Sequence, residues 1–192
     1  AAIIFLDQEK AFDRMSHTFI LKTLRSFGMG ENFIDWVKII YTDTKVSVKI
    51  NGFLTDEFDI KRGVRQGCPL SALLYVLCAE VLGVAIRKNP EIKGFKFNDE
   101  EHKVGQYADD ANILVTTNDS IDALFLTLKK YENATNVRVN EDKTEGIWLG
   151  NWKNRNDKPR NLKWTSTGTK SLGVYIGNDR KEMAMKTFEE QS

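Results

Sequence analysis

Two neighbouring aspartates, Asp109 and Asp110, stand between two short apolar runs in the string GQYADDANILV. The pattern predicts a strand, a tight turn and a second strand, with both carboxylates at the turn. Like charges this close raise each other's pKa, and a pair of divalent cations would compensate them. Aspartate is also common in ordinary turns, so this string alone leaves a structural role and a metal-binding role equally open.

A third aspartate, Asp7, ends another apolar run, AIIFL. If that run forms a strand beside the hairpin around Asp109, three carboxylates meet at one edge of a sheet. Three carboxylates that hold two Mg²⁺ ions are what in-line phosphoryl transfer uses, because one ion activates the attacking hydroxyl and the other stabilises the leaving oxygen. Mg²⁺ prefers hard oxygen ligands and shares its coordination shell with phosphates, for which the glycine-containing loop before Pro69 is well placed.

The elements that must position these residues follow from periodicity and turn signals. We expect four helices. One contains Ile20, Leu24 and Phe27, one begins near Asn32, one follows Pro69, and one follows the polar cluster 118–120. We expect strands at 2–7, a hairpin with a type I′ turn at Asn51-Gly52, two strands around Asp109-Asp110, a hairpin of 137–140 with 145–149, and a final strand at 170–176. Antiparallel strand pairs with helices on one side predict an α+β fold.

Composition limits the class of protein. With 192 residues, of which 41% are hydrophobic and 29% charged, the chain is long enough for one domain with a core. The net charge of +1 does not by itself indicate a nucleic-acid partner. The longest apolar run, 72–79, is too short to span a bilayer, so we expect no membrane partner. The chain opens inside an apolar run without a methionine, and we expect it to be part of a longer protein.

Four further residues and one basic segment carry weaker signals. Cys68 and Cys78 are expected to be free thiols, which fits a reducing intracellular compartment, and His17 and His102 are assigned no catalytic role. Residues 151–163 contain five basic side chains against one acid and are flanked by Trp152 and Trp164. That segment is either a solvated loop or a phosphate-contact loop.

Five strings resemble, in order, the palm motifs A to E of reverse transcriptases. They are DQEKAFDRMSH (7–17), RGVRQGCPLSALLY (62–75), YADD (107–110), VNEDKT (139–144) and KSLGVYIG (170–177). The first two are typical of the LINE-type, non-LTR retrotransposon class. The resemblance implies an RNA-directed DNA polymerase with a right-hand palm, an antiparallel sheet with helices on one face, and part of the fingers. Ala72 departs from the proline that many relatives carry after the motif B serine.

The resemblance implies a role for each matching position. The metal ligands would be Asp7, Asp109, Asp110 and the backbone carbonyl of Gln8, holding two Mg²⁺ ions, with Mn²⁺ as the alternative ion. Lys143 would neutralise or protonate the leaving pyrophosphate. Phe12 would be a steric gate against the ribose 2′-hydroxyl, in a nucleotide pocket with Ala11, Gln66 and Gly67. The primer and template would contact Tyr107, Ala108, Leu172, Gly173, Arg62 and Arg65.

Structural roles remain open for two of these positions and for the neighbouring Asp13. Phe12 could be a core residue, Lys143 could be a solvated surface lysine, and Asp13 is better interpreted as a helix cap or ion-pair partner than as a ligand. The related families left open are group II intron and retron reverse transcriptases and RNA-dependent RNA polymerases. A non-catalytic nucleic-acid-binding remnant is the alternative from another functional class.

The resemblance also sets expectations for organisation and partners. Residues 1–180 are expected to form the palm, with a fingers-linked insertion at about 14–60, and residues 181–192 to begin the connection to a thumb. The expected partners are an RNA template, a DNA primer, dNTPs and the rest of a retrotransposon polyprotein that carries fingers, thumb and an endonuclease. We expect the protein in the nucleus or in a cytoplasmic ribonucleoprotein, and we expect the isolated chain to polymerise weakly or not at all.

Overall fold

A computed structural model describes residues 1–191 of the chain. The strands are β1 (Ala2–Leu6), β2 (Gln8–Glu9), β3 (Lys45–Val46), β4 (Lys49–Ile50), β5 (Phe53–Leu54), β6 (Phe58–Asp59), β7 (Phe95–Phe97), β8 (Glu100–His102), β9 (Val104–Tyr107), β10 (Asp110–Val115), β11 (Arg138–Val139), β12 (Glu145–Trp148), β13 (Lys163–Thr165), β14 (Thr169–Ser171) and β15 (Val174–Ile176). The helices are α1 (Ala11–Arg14), α2 (His17–Ser26), α3 (Glu31–Tyr41), α4 (Pro69–Lys88), α5 (Asn118–Thr135) and α6 (Arg180–Gln191), with 3₁₀ turns at Gly150–Trp152 and Pro159–Asn161. This content is α+β, as the sequence predicts.

The chain divides into two compact units. The sheet unit comprises Ala1–Glu9, Gly83–Lys130 and the segment from Val139 onward, and the loop unit comprises Lys10–Leu82 and Tyr131–Arg138. The expected boundaries, with residues 1–180 as the palm and about 14–60 as a fingers-linked insertion, stay a prediction. The segment expected to start the connection to a thumb contains α6, and its last residue, Ser192, lies outside the described residues.

The sheet unit is built on a five-stranded sheet with the order β13-β12-β1-β10-β9. The strand β1 lies in its centre and pairs antiparallel with both β10 and β12. Every second residue of β1 and of β10 is buried, and the register places the buried residues opposite each other as Ala2 with Val115, Ile4 with Ile113 and Leu6 with Ala111. Side chains alternate between the two faces of a sheet, so one face of these strands packs into the core and the other faces outward.

Helix α5 follows the central strands and buries Ile121, Leu124 and Leu128 in the sheet unit. The predicted cap cluster 118–120 instead forms the first turn of the helix. The residue that caps it is Thr117, whose hydroxyl oxygen accepts a hydrogen bond from the backbone N–H of Ser120 at 3.2 Å. Asparagine and aspartate are on average better caps than threonine, so the residue-type preference favours positions 118 and 119, whereas the fold begins the helix one residue earlier.

The loop unit contains α2, α3 and two short ladders. The helices bury Ile20 and Leu24 of α2 and Ile34, Val37 and Tyr41 of α3, whereas the predicted face residues Phe27 and Ile40 are exposed. The predicted type I′ turn at Asn51-Gly52 is confirmed, because both residues have positive φ, 48° and 90°, between β4 and β5. The hairpin continues as a second ladder between β3 and β6.

Two predicted strand arrangements are wrong. The strand β12 does not pair with residues 137–140; it pairs antiparallel with β1 and parallel with β13, a strand that the sequence did not indicate. The segment 170–176 is a hairpin and not one strand, since Leu172 and Gly173 form a turn between β14 and β15. Short strands whose partners are distant in sequence leave little local signal.

Helix α4 is long and apolar enough, by length and composition, to cross a membrane. Its 18-residue window has a mean hydropathy of 2.0, and 44% of that window is buried inside the protein. A single such helix is weak evidence, because the core helix of a globular protein passes the same test. The prediction from the sequence rests on the uninterrupted apolar run 72–79 and does not include the full length of this helix.

Candidate active site

The three aspartates lie at one end of the central strands. The register of β1 and β10 ends at Leu6 opposite Ala111, and its continuation places Asp7 opposite Asp110. Because Leu6 and Ala111 point into the core, their neighbours Asp7 and Asp110 belong to the opposite, outward face. Partial burial raises the pKa of Asp110, and the nearby charges of Asp109 and Asp7 raise it further. The carboxylates are therefore close enough to repel one another.

The turn that carries Asp109 has a strained backbone. Tyr107 pairs with Asp110, so Ala108 and Asp109 form a two-residue loop, and Ala108 has a φ of 53°. A left-handed conformation is unfavourable for alanine and is commonly found where a functional constraint over-determines it. The side-chain amide of Gln8 donates a hydrogen bond to the carbonyl oxygen of Asp109 at 3.1 Å and ties this turn to the residue after Asp7.

The backbone of Asp7 is held by the loop before β12. The N–H of Asn140 donates to the carbonyl oxygen of Asp7 at 2.8 Å, and the N–H of Asp7 donates to the Thr144 hydroxyl at 3.3 Å. Thr144 is fully buried, and its hydroxyl in turn donates to the carbonyl of Asn140 at 2.8 Å. Lys143 lies on the same loop with an exposed side chain. The loop thus holds the backbone of Asp7 in place and also carries Lys143.

The hairpin of β14 and β15 is anchored to the outward face of β10. The side-chain amide of Asn112 donates to the Ser171 hydroxyl at 3.1 Å. Next to Ser171, Leu172 and Gly173 have φ values of 50° and 80°, which is the pattern of a type I′ turn. Leucine is disfavoured in that conformation, so backbone preference does not account for a leucine at position 172. Burial does not account for it either, because the Leu172 side chain is 56% exposed.

Glu145 anchors the base of the same hairpin. Its carboxylate accepts hydrogen bonds from the Lys163 ammonium group of β13 and from the Thr169 hydroxyl of β14, and these bonds lower its pKa. Glu145 lies opposite Phe5 across β1 and β12, on the outward face shared with Asn112. One carboxylate on the sheet therefore fixes two other strands.

In the loop unit, Phe12 borders a cavity of about 580 Å³. Gln66 and Gly67, which the resemblance assigns to a nucleotide pocket, line the same cavity, together with Arg65, Cys68, Pro69 and Ala72. The Phe12 ring stacks on the buried Tyr75 with centroids 4.4 Å apart and planes 17° from parallel. Phe12 is therefore both packed on one side and presented to the cavity. Ala11 is buried and does not line the cavity.

The loop 62–67 is joined to α1 by backbone hydrogen bonds. The N–H of Val64 donates to the carbonyl of Phe12, and the N–H of Gly63 donates to the carbonyl of Met15, both at 2.7 Å. A side chain at position 63 would place its Cβ 2.7 Å from the carbonyl oxygen of Asp13, and the φ there is 90°. Only glycine fits this approach. Asp13 accepts a hydrogen bond from the Gln66 amide at 3.4 Å.

The basic segment 151–163 is largely neutralised within the sheet unit. Arg155 pairs with Asp157 and lies over the rings of Trp148 and Trp152, at 4.2 and 4.6 Å from their centroids. Arg160 pairs with Asp122, and Lys163 pairs with Glu145. Lys153 and Lys158 have no ion-pair partner among residues 1–191 and are the cations left to contact a phosphate.

The sequence missed the residues that position the site. These are Asn140 and Thr144 behind Asp7, Asn112 and Ser171 under the Leu172 turn, Glu145, and the side chain of Gln8. All are ordinary polar residues on strands or loops, and only the register brings them to their partners. In residues 1–191 no group of three or more His, Cys, Asp or Glu side chains already forms a metal-binding cluster.

Sequence comparison places the chain among known proteins. Residues 1–176 match the family model described as reverse transcriptase (RNA-dependent DNA polymerase). The chain is 33% identical over 190 residues to the transposon TX1 uncharacterized 149 kDa protein of Xenopus laevis, covering 98% of this chain and 14% of that protein. It is 33% identical over 144 residues to the retrovirus-related Pol polyprotein of the type-2 retrotransposable element R2DM of Drosophila melanogaster, covering 74% of this chain and 13% of that polyprotein.

The fold is similar to that of solved telomerase structures. Telomerase from Candida tropicalis, in complex with a fragment of telomeric RNA, superposes with a TM-score of 0.65 at 14% identity, covering 92% of this chain and 28% of that one. Telomerase from Candida albicans gives a TM-score of 0.61 at 16% identity. The fold, the ordered motifs and the family match agree, and the predicted resemblance is confirmed: this chain belongs to the reverse transcriptase family.

Proposed function

We propose that this chain is the catalytic core of an RNA-directed DNA polymerase that adds dNTPs to a primer 3′-hydroxyl. The observation that carries the proposal is the meeting of Asp7 and Asp110 across the β1–β10 register beside Asp109, where partial burial and then the charges of Asp109 and Asp7 raise the pKa of Asp110. Carboxylates held together at this energetic cost are suited to binding cations. The curated relatives are far longer than this chain, which spans about one seventh of them, so the complete activity belongs to a larger polypeptide.

The carboxylates of Asp7, Asp109 and Asp110 would hold two divalent ions, preferably Mg²⁺, with the backbone carbonyl of Gln8 as a further oxygen ligand. Such ions supply activation of the attacking hydroxyl and charge stabilisation at the leaving oxygen. The protein's own part is positioning, since Thr144 and Asn140 fix the Asp7 backbone and the Gln8 side chain fixes the Asp109 turn. Lys143 is proposed to give a proton or a positive charge to the departing pyrophosphate.

The cavity bordered by Phe12, Gln66 and Gly67 is proposed to receive the sugar and base of the incoming nucleotide. A phenyl ring held in place by stacking on Tyr75 cannot swing away from a ribose 2′-hydroxyl, which supports its role as a steric gate. Tyr107, whose side chain is 70% exposed, and the Leu172–Gly173 turn are proposed to contact the primer. The exposed Arg62 and Arg65 are proposed to contact template phosphates.

The proposed partners are an RNA template, a DNA primer and the remaining domains of a retrotransposon polyprotein. The similarity to transposon TX1 and R2DM proteins supports this assignment. A polymerase that copies RNA into genomic DNA would act in the nucleus or in a cytoplasmic ribonucleoprotein, and we propose that location.

Primer extension on an RNA template, with Mg²⁺ and dNTPs, tests the proposed function. The chain is produced within a full-length polymerase polypeptide, beside an Asp109→Asn variant and a control variant, Asp119→Asn, whose carboxylate lies on α5. We expect extension by the parent and by the control, and loss of extension by Asp109→Asn. Equal extension by all three would refute the metal assignment.

The steric gate is tested in the same polypeptide by Phe12→Val. A smaller side chain leaves room for the 2′-hydroxyl, so the preference for dNTPs over rNTPs should fall. Unchanged discrimination would assign Phe12 to packing against Tyr75 alone.

A further inference from the structure

A second cavity in the loop unit is lined by Arg62, Arg65 and Gln66, which the proposed function assigns to template or nucleotide, and by apolar residues that have no part in that function. It is a solvent-open cavity with a volume of about 490 Å³, within the range of small-molecule sites. Its apolar walls are Tyr41, Val46, Ile60 and Val64, and its polar residues include Arg62 and Arg65. A cavity of this size with apolar walls and a few polar groups is the usual form of a ligand site.

The walls of this cavity are fixed by contacts that are already made. Tyr41 is 9% exposed, and its hydroxyl shares a hydrogen bond of 3.1 Å with the buried Ser71 hydroxyl. The Tyr41 ring also packs against the His17 ring, with centroids 4.9 Å apart. Val64 is held by its backbone bond to Phe12. An aromatic wall held in one orientation loses little ordering entropy when a ligand binds, and a planar aromatic ligand can stack on it.

The charged residues of the cavity select the sign of the ligand. Arg62 and Arg65 are exposed, and neither has an ion-pair partner within the described part of the chain. The one carboxylate that lines the cavity, Asp13, already accepts a hydrogen bond from Gln66. Two guanidinium groups against one engaged carboxylate favour an anion, which arginine binds through its planar fork of donors.

The cavity shares residues with the first one. Arg65 and Gln66 line both the cavity beside Phe12 and the cavity beside Tyr41. A ligand that engages Arg65 on one side of the loop therefore changes the side chains available on the other side.

We propose that the cavity beside Tyr41 binds a small planar aromatic anion, and that its occupancy alters the cavity beside Phe12 through Arg65 and Gln66. The binding stands on the cavity itself. The consequence for catalysis rests on the proposed function, which assigns the cavity beside Phe12 to the nucleotide.

The test titrates the 192-residue chain with 8-anilinonaphthalene-1-sulfonate and follows its fluorescence. Arg62→Ser removes one guanidinium and should weaken binding about three- to fivefold. Ile60→Trp fills the cavity and should abolish the binding. Lys61→Ser removes a neighbouring charge that does not line the cavity, and Phe53→Ser removes a side chain that is 81% exposed elsewhere in the loop unit; both should bind as the parent does. Circular dichroism checks that each variant is folded.

Alkylation of Cys68 by iodoacetamide reports on the cavity beside Phe12 without requiring polymerase activity. Hydrogen bonds from Ser71 and the charge of Arg65 lower the pKa of Cys68, whereas burial raises the pKa of Cys78 to about 12. A sulfonate paired with Arg65 cancels part of that charge, so the probe should slow alkylation of Cys68 in the parent and leave it unchanged in Ile60→Trp.

Absence of binding, or binding that Phe53→Ser removes and that Arg62→Ser and Ile60→Trp leave intact, would overturn the proposed site. Binding with unchanged alkylation of Cys68 would overturn the coupling between the cavities. Neither readout requires primer extension, so a failure here is distinguishable from a failure of the proposed polymerase function.

Discussion

The turn at Leu172 and Gly173 should store measurable strain. A non-glycine residue in the left-handed region costs about 1–2 kcal/mol. Leu172→Gly removes that cost, but it also loses some apolar burial and adds about 0.5–1 kcal/mol of chain entropy. A matched control is Leu126→Gly on α5, because Leu126 is 61% exposed and Leu172 is 56% exposed. The losses of burial and of entropy are therefore similar at the two positions.

The difference between the two variants isolates the strain. We expect Leu172→Gly to lower the free energy of unfolding by about 1–2 kcal/mol less than Leu126→Gly does, as measured by urea denaturation. If the leucine is retained to contact a primer, Leu172→Gly should also weaken binding of a labelled primer–template duplex about fivefold, by anisotropy, while Leu126→Gly leaves it unchanged. Equal destabilisation by both variants would refute the assignment of strain.

Three further predictions concern stability. The raised pKa of Asp110 means that its ionised form opposes folding, so Asp110→Asn should be more stable than the parent at pH 7. This advantage should fade as the pH falls through the raised pKa towards the ordinary value of 3.8, because the parent carboxylate is then protonated. An advantage that grows on acidification would contradict this prediction. Thr144→Val should cost about 1–3 kcal/mol in thermal unfolding, because it leaves the Asp7 N–H without its partner, and Thr144→Ser should restore most of the loss. Gly63→Ala should destabilise by more than about 1 kcal/mol, since its Cβ meets a carbonyl of α1, whereas Gly105→Ala, with no atom within 4 Å, should not.

Local signals predicted the elements better than their pairing. Turn chemistry identified the Asn51-Gly52 turn, and apolar spacing identified the faces of α2, α3 and α5 except at the helix ends, where Phe27 and Ile40 are exposed. The predicted partner of β12 is wrong, because β12 pairs with β1, which is distant in sequence, as Phe5 with Glu145 shows, and with the short strand β13. The prediction of one strand at 170–176 runs through Leu172, whose positive φ is set by the hairpin and has no signal in its residue type.

The candidate site divides in the same way. The three aspartates are recognisable in sequence because carboxylates at the ends of apolar runs are unusual, and Phe12 and Gly67 are recognisable through the resemblance of their motifs to those of reverse transcriptases. Thr144, Asn112 and Ser171 carry no such signal, because they act only through the partner that the fold brings to each. Residues that position a site are therefore harder to predict from sequence than residues that perform its chemistry.

Binding of Mn²⁺ in the presence of a dNTP, followed by electron paramagnetic resonance, tests the central claim most directly. It reports on the carboxylates of the 192-residue chain without requiring polymerisation. We predict that the parent and Asp142→Asn, an exposed neighbour of Lys143, bind Mn²⁺ with dNTP alike, and that Asp7→Asn and Asp110→Asn each lose that binding. Undiminished Mn²⁺ binding by Asp7→Asn and Asp110→Asn would contradict the assignment of a metal site to the edge shared by β1 and β10.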